Sequence, residues 1–451
     1  MKKLFYLALA GALIMTSCKD KEKEEVKSED KSTTFVETFL KNKTDTTKYV
    51  TIKDKGQGIG TRTLSKNVVY LLDGFVFVNE GQTLTIEAGT IIKGKSGQGE
   101  NASAMIVARG AKIIAQGTAT EPIIFTAEAD QLTRDTKGKL LGTTINLTPT
   151  TKGLWGGLII LGKAGLNSSP GTTAIEGIPT TESRCIYGGT DDADNSGILK
   201  YVSIRHGGTN IGAGNEINGL TLGGVGSGTI IDYVEVAANG DDGVEFFGGT
   251  VQTKHMLVAN SDDDSFDYDE GYRGKGQFWV SITPVDRAGE HDGGTNPETA
   301  TPYATPTIYN ATFIGGKAIT FRDNAGGYYY NSLFEGLTKN PAIDIEDDAG
   351  QDSKDQFEAG RLKIENCVFA ACQAKRVAYS IITSLSIGNE ISTNTNTSVA
   401  SMVNALNPVP ATKTAATSST DSFFTDAPYV GAFGDTNWAA GWTLTFPKSA
   451  K

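Results

Sequence analysis

Cysteine and histidine are scarce in this chain, which has four cysteines and three histidines among 451 residues. Besides Cys18, the cysteines are Cys185, Cys367 and Cys372, an odd number without metal-binding spacing. The sequence therefore contains neither a disulfide framework nor a zinc-type Cys/His motif. Long apolar runs are also missing, because the apolar stretch at residues 4–15 is too short to remain as a membrane-spanning helix.

Acidic residues outnumber basic residues, because the chain has 52 Asp and Glu and 41 Lys and Arg. The formal net charge is −11. Such a chain is a poor partner for nucleic acid or anionic lipid headgroups. The glycine-rich residues 223–228 precede a predicted strand rather than a helix, which argues against a dinucleotide site. The sequence thus predicts no nucleic-acid partner and no nucleotide or organic cofactor.

The N-terminus has the pattern of an export signal that ends in a lipid anchor. Two lysines precede the apolar stretch, and residues 14–18 (IMTSC) resemble the lipobox of bacterial lipoproteins. That resemblance implies that residues 1–17 are a signal peptide and that Cys18 is acylated. Residues 18–60 are predicted to be a disordered tether, because a dense run of mixed charges follows the cysteine. The expected location is the outer membrane, with display at the cell surface or a periplasmic position left open.

Short β-rich runs that alternate with Gly, Asn and Asp turns indicate an all-β protein. Residues 231–249 and 252–271 share a strand, an Ala-Asn pair, an Asp run and a second strand, with an offset of 21 residues. This period predicts a right-handed parallel β-helix, a solenoid, because leucine-rich repeats would need a Leu/Asn frame and propeller blades a longer repeat. The offset also places Asn239 and Asn260 at equivalent corners, where Asn tolerates a left-handed backbone.

The domain organisation follows from these repeats. Residues 61–391 are predicted to form the β-helix, interrupted by surface loops at residues 131–152 and 283–305. Residues 392–451 begin with a Ser/Thr-rich stretch and are predicted to cover or cap the C-terminal coil.

Several motifs resemble those of a family of Bacteroidota β-helix lipoproteins. They are residues 153–162 (GLWGGLIILG), 187–194 (YGGTDDAD), 201–208 (YVSIRHGG) and 240–249 (GDDGVEFFGG). The resemblance covers most of the chain after about residue 65. It implies a β-helix on a lipid anchor, and it implies no particular chemistry because that family has no established activity.

Aspartates recur at the turns of successive repeats. With a 21-residue coil, Asp241 and Asp242 lie opposite Asp262 and Asp263, and Asp267 lies close by. Two like charges 4 Å apart repel by ~1 kcal/mol in water and by ~4 kcal/mol at an effective dielectric near 20. Several hard oxygen ligands suit Ca²⁺, so these five aspartates are a predicted calcium site. The alternative is that each aspartate forms a solvated turn.

The same region admits a catalytic interpretation. Residues 239–241 (NGD), followed by Asp263-Asp264, resemble the first half of the motif of pectin-degrading β-helix glycoside hydrolases, and residues 361–363 (RLK) resemble its last element. The resemblance implies that Asp241, Asp263 and Asp264 would be the catalytic residues of a hydrolase or lyase acting on acidic glycans. The Gly-His-Gly element of that motif is missing from the next coil, GQFWVS, which favours a non-enzymatic role.

Four further residues are candidates for ligand binding. Tyr268 and Tyr272 would offer an aromatic platform to sugar rings, with core packing as the alternative. Arg205 and His206 end a strand at a Gly-Gly turn, with a packed corner as the alternative. The sequence as a whole predicts a lipid-anchored module that binds a polysaccharide or a surface protein without catalysis, with calcium as the candidate ion.

Overall fold

The computed structural model describes residues 33–42, 45–134, 140–141, 146–212, 216–294, 297–339, 341–348, 351–372, 377–378 and 400–448. All of them belong to one unit of the chain, Ser32–Lys451. The predicted signal peptide, Cys18 and the charged run after it lie outside the described residues. No helix within the described residues has both the length and the apolar character needed to cross a membrane.

Two long sheets contain nearly all strands of the described residues. The first sheet comprises β1 (Thr34–Asn42), β2 (Asp45–Lys53), β3 (Arg62–Leu64), β4 (Val68–Leu72), β6 (Thr83–Ile86), β7 (Ile91–Gly94), β9 (Lys112–Gln116), β10 (Ile123–Ala127), β16 (Gly197–Arg205), β18 (Ile230–Ala237), β20 (Gln252–Ala259), β22 (Lys275–Ile282), β24 (Thr307–Tyr309), β25 (Thr312–Ile314), β27 (Gly327–Tyr330), β28 (Leu333–Glu335), β30 (Leu362–Glu365) and β31 (Val368–Ala370). The second sheet comprises β5 (Phe75–Val78), β8 (Ala104–Val107), β13 (Leu158–Leu161), β17 (Leu220–Gly223), β19 (Val244–Phe247), β21 (Phe266–Asp269), β23 (Gly289–Asp292), β26 (Ile319–Arg322), β29 (Ile343–Ile345) and β32 (Val377–Ala378).

The remaining elements are short. Two small antiparallel pairs are β11 (Thr133–Arg134) with β12 (Leu140–Leu141), and β14 (Thr173–Ala174) with β15 (Ile186–Tyr187). Two 3₁₀ helices, Gly99–Asn101 and Ser183–Cys185, and one α-helix, α1 (Ser353–Glu358), lie in the described connections. The side chain of Asp352 accepts a hydrogen bond from the backbone N–H of Asp355 and so caps the N-terminus of α1.

The paired strands begin before residue 61, the predicted start of the β-helix. β1 and β2 form an antiparallel pair, and Lys48–Ile52 of β2 then pair in parallel with Val68–Leu72 of β4. The predicted disordered tether therefore includes residues that form strands. Residues 34–53 are rich in β-branched and aromatic side chains, which favour strands, whereas the run before them is mostly charged.

Each central coil has three faces, because long strands of the first sheet bend in the middle. In β16, residues 197–200 pair with β9, whereas residues 202–204 pair with β10. The residue at the bend, Tyr201, has a φ of 49° and is skipped in the pairing with β18. Successive coils repeat this left-handed residue at the same place, and we call the set the bend file: Tyr201, Tyr233, His255, Phe278, Asn310, Asn331 and Asn366.

The length of the coils at the aspartates is 22 residues rather than 21. Val236 of β18 lies opposite Val258 of β20, and Glu245 of β19 lies opposite Asp267 of β21. The predicted offset of 21 does hold for β24 and β27, although not at the aspartate-rich coils. As a result Ala238, with a φ of 59°, occupies the corner equivalent to Asn260, with a φ of 58°. The prediction that Asn239 occupies that corner is therefore wrong.

The interior of the coils is filled by stacked apolar side chains. Trp279 lies 5.4 Å from Phe246 and 4.6 Å from Phe266 between ring centroids, with nearly parallel planes. All three side chains are fully buried. A single coil cannot enclose such residues, so each coil is stabilised by the burial that its neighbours provide, at about 25 cal/mol per Å² of apolar surface.

One predicted loop residue is part of this interior. β23 places His291 inside the coil, although the sequence analysis assigned residues 283–305 to a surface loop. Its ring stacks on Tyr268 at 3.9 Å, and its Nε2 lies 2.7 Å from the hydroxyl of Tyr329. Burial lowers the pKa of His291 to about 3, so this imidazole is neutral at physiological pH.

The C-terminal residues 400–448, which we call the C-terminal strap, lie along the outer side of the first sheet rather than over the end of the last coil. The carboxylate of Glu335 accepts hydrogen bonds from the backbone of Met402 and Val403. Farther along the strap, the carboxylate of Glu235 accepts them from the backbone of Leu444 and Thr445, at 2.8 Å each. The strap therefore runs from a late coil back to a central one.

Candidate functional site: an acidic face

Carboxylates of successive coils converge where the first sheet turns into the second. Asp242 and Glu245 are three residues apart, Asp264 and Asp267 are also three apart, and the 22-residue coil stacks the two pairs. The backbone holds the turn aspartates in place, since Asp242 Oδ1 accepts a hydrogen bond of 2.8 Å from the N–H of Asp264. Asp264 Oδ1 in turn accepts one of 2.6 Å from the N–H of Arg287.

Three overlapping groups of carboxylates result, each with oxygen atoms that lie within 4.8 Å of one another. One group is partly open to solvent, because Asp263 is exposed and Asp242 is buried beneath it. Another lies deeper, with Asp242 and Glu245 only 7% and 8% exposed. The groups are Asp241–Asp242–Asp263, Asp242–Glu245–Asp267 and Asp263–Asp264–Asp286, and together we call them the acidic face.

Burial and mutual repulsion disfavour the ionised form of these carboxyls. Burial raises the pKa of Asp241 to about 7 and that of Asp264 to about 8. Burial, followed by the charge of a neighbouring carboxylate, raises the pKa of Asp242, Glu245 and Asp267 well above the ordinary range. At neutral pH these groups must therefore retain protons or share a cation.

Cationic side chains neutralise one end of this region. Arg287 Nη1 and Arg322 Nη2 each lie 2.9 Å from a Glu290 oxygen, and Arg322 Nε lies 2.7 Å from Asp292. At Asp286, Lys317 Nζ lies 2.7 Å from the carboxylate. These partners satisfy the carboxylates on the coils that follow Asp267.

The other end of the acidic face has no such cationic partners among the described residues. Among the ion pairs of the described residues, none involves Asp241, Asp242, Glu245 or Asp267. The amide of Asn218 donates a hydrogen bond to Glu245, whereas Oδ1 of Asp267 is buried without any hydrogen-bond partner. A buried carboxylate oxygen without a donor is costly, so this position is suited to a bound cation.

The predicted calcium ligands are brought together with one exception. Asp241, Asp242, Asp263 and Asp267 all belong to the acidic face, but Asp262 does not. The extra residue in the coil turns Asp262 away, and Lys152 Nζ pairs with its carboxylate at 2.6 Å. Including Asp262 in the site was therefore wrong, because the 21-residue offset shifted the register by one residue.

The four predicted ligand-binding residues are buried rather than displayed. Tyr268 and Tyr272 are core residues whose hydroxyls donate to the backbone oxygens of Gly326 and Val251. Neither tyrosine can therefore form the predicted aromatic platform, because both side chains are enclosed in the core.

Arg205 and His206 are likewise engaged by the protein. Arg205 Nε donates to the hydroxyl of Ser203 at 2.7 Å, and His206 Nδ1 lies 2.5 Å from the carbonyl oxygen of Thr151. Both residues are buried, so the prediction of a surface ligand site at this corner is wrong and the packed-corner alternative holds.

The candidate catalytic residues are neighbours, but their spacing does not match that of an inverting hydrolase. Oxygens of Asp241 and Asp263, and of Asp263 and Asp264, lie within 4.8 Å of each other. Inverting glycosidases separate their two carboxyls by ~6.5–9.5 Å to admit a water molecule. Asp264 is only 1% exposed and already binds a backbone N–H, so it lacks access to a substrate.

Two carboxylates of the acidic face were missing from the predicted set of ligands. Glu245 and Asp286 complete two of the three groups. The signal was present in the sequence, since the pattern Asp-x-x-acid occurs at Asp242–Glu245 and again 22 residues later at Asp264–Asp267. Aligning the repeats on that pattern would have given the correct register and placed Glu245 beside Asp267.

The acidic face predicts an unusual dependence of stability on pH in the absence of metal. The pKa values of Asp241 and Asp264 are raised in the folded protein, so between about pH 4 and pH 8 the folded state binds more protons than the unfolded state. The free energy of unfolding in EDTA is therefore expected to fall as the pH rises through this window. Urea unfolding at several pH values measures it, and Asp264→Asn should show a shallower fall; an equal or steeper fall in the variant would contradict this account.

The fold and this site define a right-handed parallel β-helix protein with an acidic face. The chain belongs to the family of pectate-lyase-like β-helix domains, since the model of that family, described as "Pectate-lyase like beta helix domain", matches residues 56–443. Searches of curated proteins and of solved structures each found no match.

Proposed function

We propose that this protein is a lipid-anchored envelope module whose β-helix binds an acidic polysaccharide through calcium held at the acidic face. The observation that carries the proposal is the buried Oδ1 of Asp267, which lies with Asp242 and Glu245 in a group of carboxylates without a protein cation among the described residues. A divalent cation would satisfy that oxygen and remove the mutual repulsion that raises the pKa values.

The carboxylates fit the requirements of calcium. Ca²⁺ takes about 6–8 oxygen ligands in flexible geometry, and three carboxylates offer up to about six. The group Asp241–Asp242–Asp263 is buried at Asp242 and open to solvent at Asp263. Calcium held there would keep its outer side for a carboxylate of the polysaccharide, and so would convert a site that repels anions into one that binds them.

A lyase that acts on acidic glycans is the second candidate, and membership of the pectate-lyase-like family favours it. Binding is preferred over hydrolysis because the hydrolase motif lacks its histidine element and Asp264, one of the three candidate catalytic residues, is buried. The two candidates separate in one assay: a lyase releases unsaturated sugars that absorb ultraviolet light, whereas a binding module retains the polymer unchanged.

Calcium is expected to raise the melting temperature of the chelated protein. A ligand at 100 times its Kd stabilises the folded state by about 2.7 kcal/mol. Differential scanning calorimetry with EDTA, and then with millimolar CaCl₂, measures the change, and affinity electrophoresis in polygalacturonate measures polymer binding.

Asp242→Asn should abolish both the calcium-induced shift in Tm and the binding of the polymer, because Asp242 belongs to both the deep and the solvent-open group. Asp263→Asn, which changes only solvent-open carboxylates, should abolish the binding of the polymer. Asp262→Asn is the matched control, because Asp262 is adjacent in sequence but pairs with Lys152 outside the acidic face. A Tm that calcium leaves unchanged in the wild type, or a calcium-induced shift in Tm that Asp262→Asn loses as completely as Asp242→Asn, would refute the proposed ion site.

The lipid anchor belongs to the same proposal and rests on the lipobox-like residues 14–18. Expression of the full chain should yield a membrane-bound protein that incorporates a labelled fatty acid, and Cys18→Ser should release it unlabelled. Proteinase digestion of intact cells distinguishes surface display from a periplasmic position. Membrane association of the Cys18→Ser variant at the wild-type level would count against acylation of this cysteine.

A further inference from the structure

The first sheet has an open edge at its N-terminal end. β1 pairs with β2 along its whole length, Thr34–Asn42, in an unbroken antiparallel register. Within the described residues β2 has a second neighbour, β4, whereas β1 has no neighbour besides β2. One side of β1 therefore carries backbone N–H and C=O groups that no described strand binds, and such an edge is a template for a further strand.

The first strand of the second sheet, β5, is treated differently, because the chain itself covers its edge. The backbone N–H of Phe77 donates to Asp54 Oδ2 at 3.2 Å, and the backbone oxygen of Phe77 accepts from the N–H of Ile59 at 2.7 Å. Proteins protect edge strands by such covering segments, by proline or by a β-bulge. β1 contains no proline, and its unbroken register contains no bulge.

The sequence of β1 is complementary in charge to a second copy of itself. Glu37 precedes Phe39 by two positions, and Lys41 follows Phe39 by two. Two identical strands related by a two-fold axis run antiparallel, and in the register centred on Phe39 each Glu37 lies opposite Lys41 of the other copy. Opposite charges at facing positions stabilise an antiparallel pair. A parallel, in-register pair would instead place like charges opposite each other at both positions.

We infer that β1 pairs antiparallel with β1 of a second copy of this chain, so that two β-helices are joined at their N-terminal ends. The strands β2 and β1 and their two symmetry mates then form a continuous antiparallel sheet, and both open edges are closed. The overlap of residues 36–42 is short, so the dimer is expected to be weak in dilute solution. The proposed lipid anchor would hold both copies in one membrane and raise their effective concentration, but the pairing itself does not depend on it.

Disulfide cross-linking in cells that express the full chain tests the pairing. Phe39→Cys should give a covalent dimer on mild oxidation, because the two copies of residue 39 lie opposite each other with Cα atoms about 4.5–5.5 Å apart. Val36→Cys is the matched control, since Val36 lies on the same strand and is 54% exposed. In the proposed register residue 36 lies opposite residue 42, which separates the two copies of residue 36 by about 20 Å, so this variant should give no dimer. The wild type gives the background, because its cysteines within the described residues are all buried, at Cys185, Cys367 and Cys372.

Charge reversal tests the register by an independent measurement. Glu37→Lys or Lys41→Glu alone would place two like-charged pairs across the contact and should raise the dimer Kd about tenfold in sedimentation equilibrium. The variant that carries both changes should return to the wild-type Kd, because opposite charges again lie opposite each other. Equal melting temperatures of the three variants establish that the hairpin of β1 and β2 remains folded.

Three results would overturn the inference: no covalent dimer of Phe39→Cys, equal cross-linking of Val36→Cys, or a double reversal that dimerises no better than the single ones. The first result would mean that a different strand covers this edge. All measurements are made in EDTA, and Asp242→Asn should dimerise as the wild type does. Failure of the calcium site and failure of the dimer are therefore separate results.

Discussion

Replacing Trp279 by alanine is expected to lower the free energy of unfolding by about 3–5 kcal/mol. The indole is fully buried between Phe246 and Phe266, and its Nε1–H donates to the hydroxyl of Thr253 at 2.8 Å. Alanine would leave a cavity beside Phe246 and Phe266, since the indole packs on both of these rings. Equilibrium unfolding in urea measures the loss.

The matched comparison is an exposed apolar residue. Leu406 is 90% exposed, so Leu406→Ala should change the free energy of unfolding by less than about 0.5 kcal/mol. Trp279→Phe should have an intermediate effect because it retains a ring in the stack. A loss below about 1 kcal/mol for Trp279→Ala would mean that the coil interior is not packed as described.

Replacing Glu235 by alanine is expected to cost about 3–5 kcal/mol and to release the end of the C-terminal strap. This carboxylate is fully buried and accepts hydrogen bonds from Leu444 N, Thr445 N and Thr445 Oγ1, each at 2.8 Å. Its removal also leaves the buried guanidinium of Arg205, which lies 4.0 Å away, without its counter-charge. Urea unfolding gives the free energy, and limited proteolysis reports the release of the strap.

A double-mutant cycle separates the two contributions of Glu235. The variant with both Arg205→Met and Glu235→Ala should lose less stability than the sum of the single variants, because it leaves no unpaired buried charge. The strap should still be cleaved readily in the double variant, since its backbone donors have lost their acceptor. A Glu235→Ala protein with a wild-type cleavage pattern would contradict the anchoring role.

The fold was predictable because its cause is local and repeated. The pattern of a strand, a turn rich in Asp and a second strand recurs along the chain, and stacking is the way such units bury their apolar residues. The start of the β-helix was misplaced, because the strands from Thr34 to Lys53 lie outside the repeat.

The acidic face was predicted only in part. The sequence shows which acidic residues occur in each turn, but the register between coils depends on contacts between residues that are distant in sequence. The error of one residue arose at Ala238, whose left-handed backbone no propensity indicates, since Asn239 beside it is the residue type that prefers this conformation. That one residue exchanged Asp263 for Asp264 opposite Asp242, and Asp262 for Asp263 opposite Asp241. Backbone hydrogen bonds between coils decide the register there, and they outweigh the preference of a single side chain.

The contacts of the C-terminal strap could not be predicted from the sequence. Glu235 and Leu444 are 209 residues apart, and neither belongs to a motif that would connect them. A buried glutamate within a strand signals that some partner exists. Which backbone segment supplies that partner depends on the path of the chain across several coils.

The two anchor points of the strap also fix how many coils the protein contains. Excising one repeat, residues 243–264, would leave the remaining coils able to stack, because the excised length equals the 22-residue spacing between β19 and β21. The excision would nevertheless bring Glu335 about 4.8 Å nearer to Glu235. The part of the strap between the residues that bind these two carboxylates would keep its length. Repeat duplication or loss, the common route by which solenoids change size, would therefore have to be matched by a change in the length of this C-terminal segment.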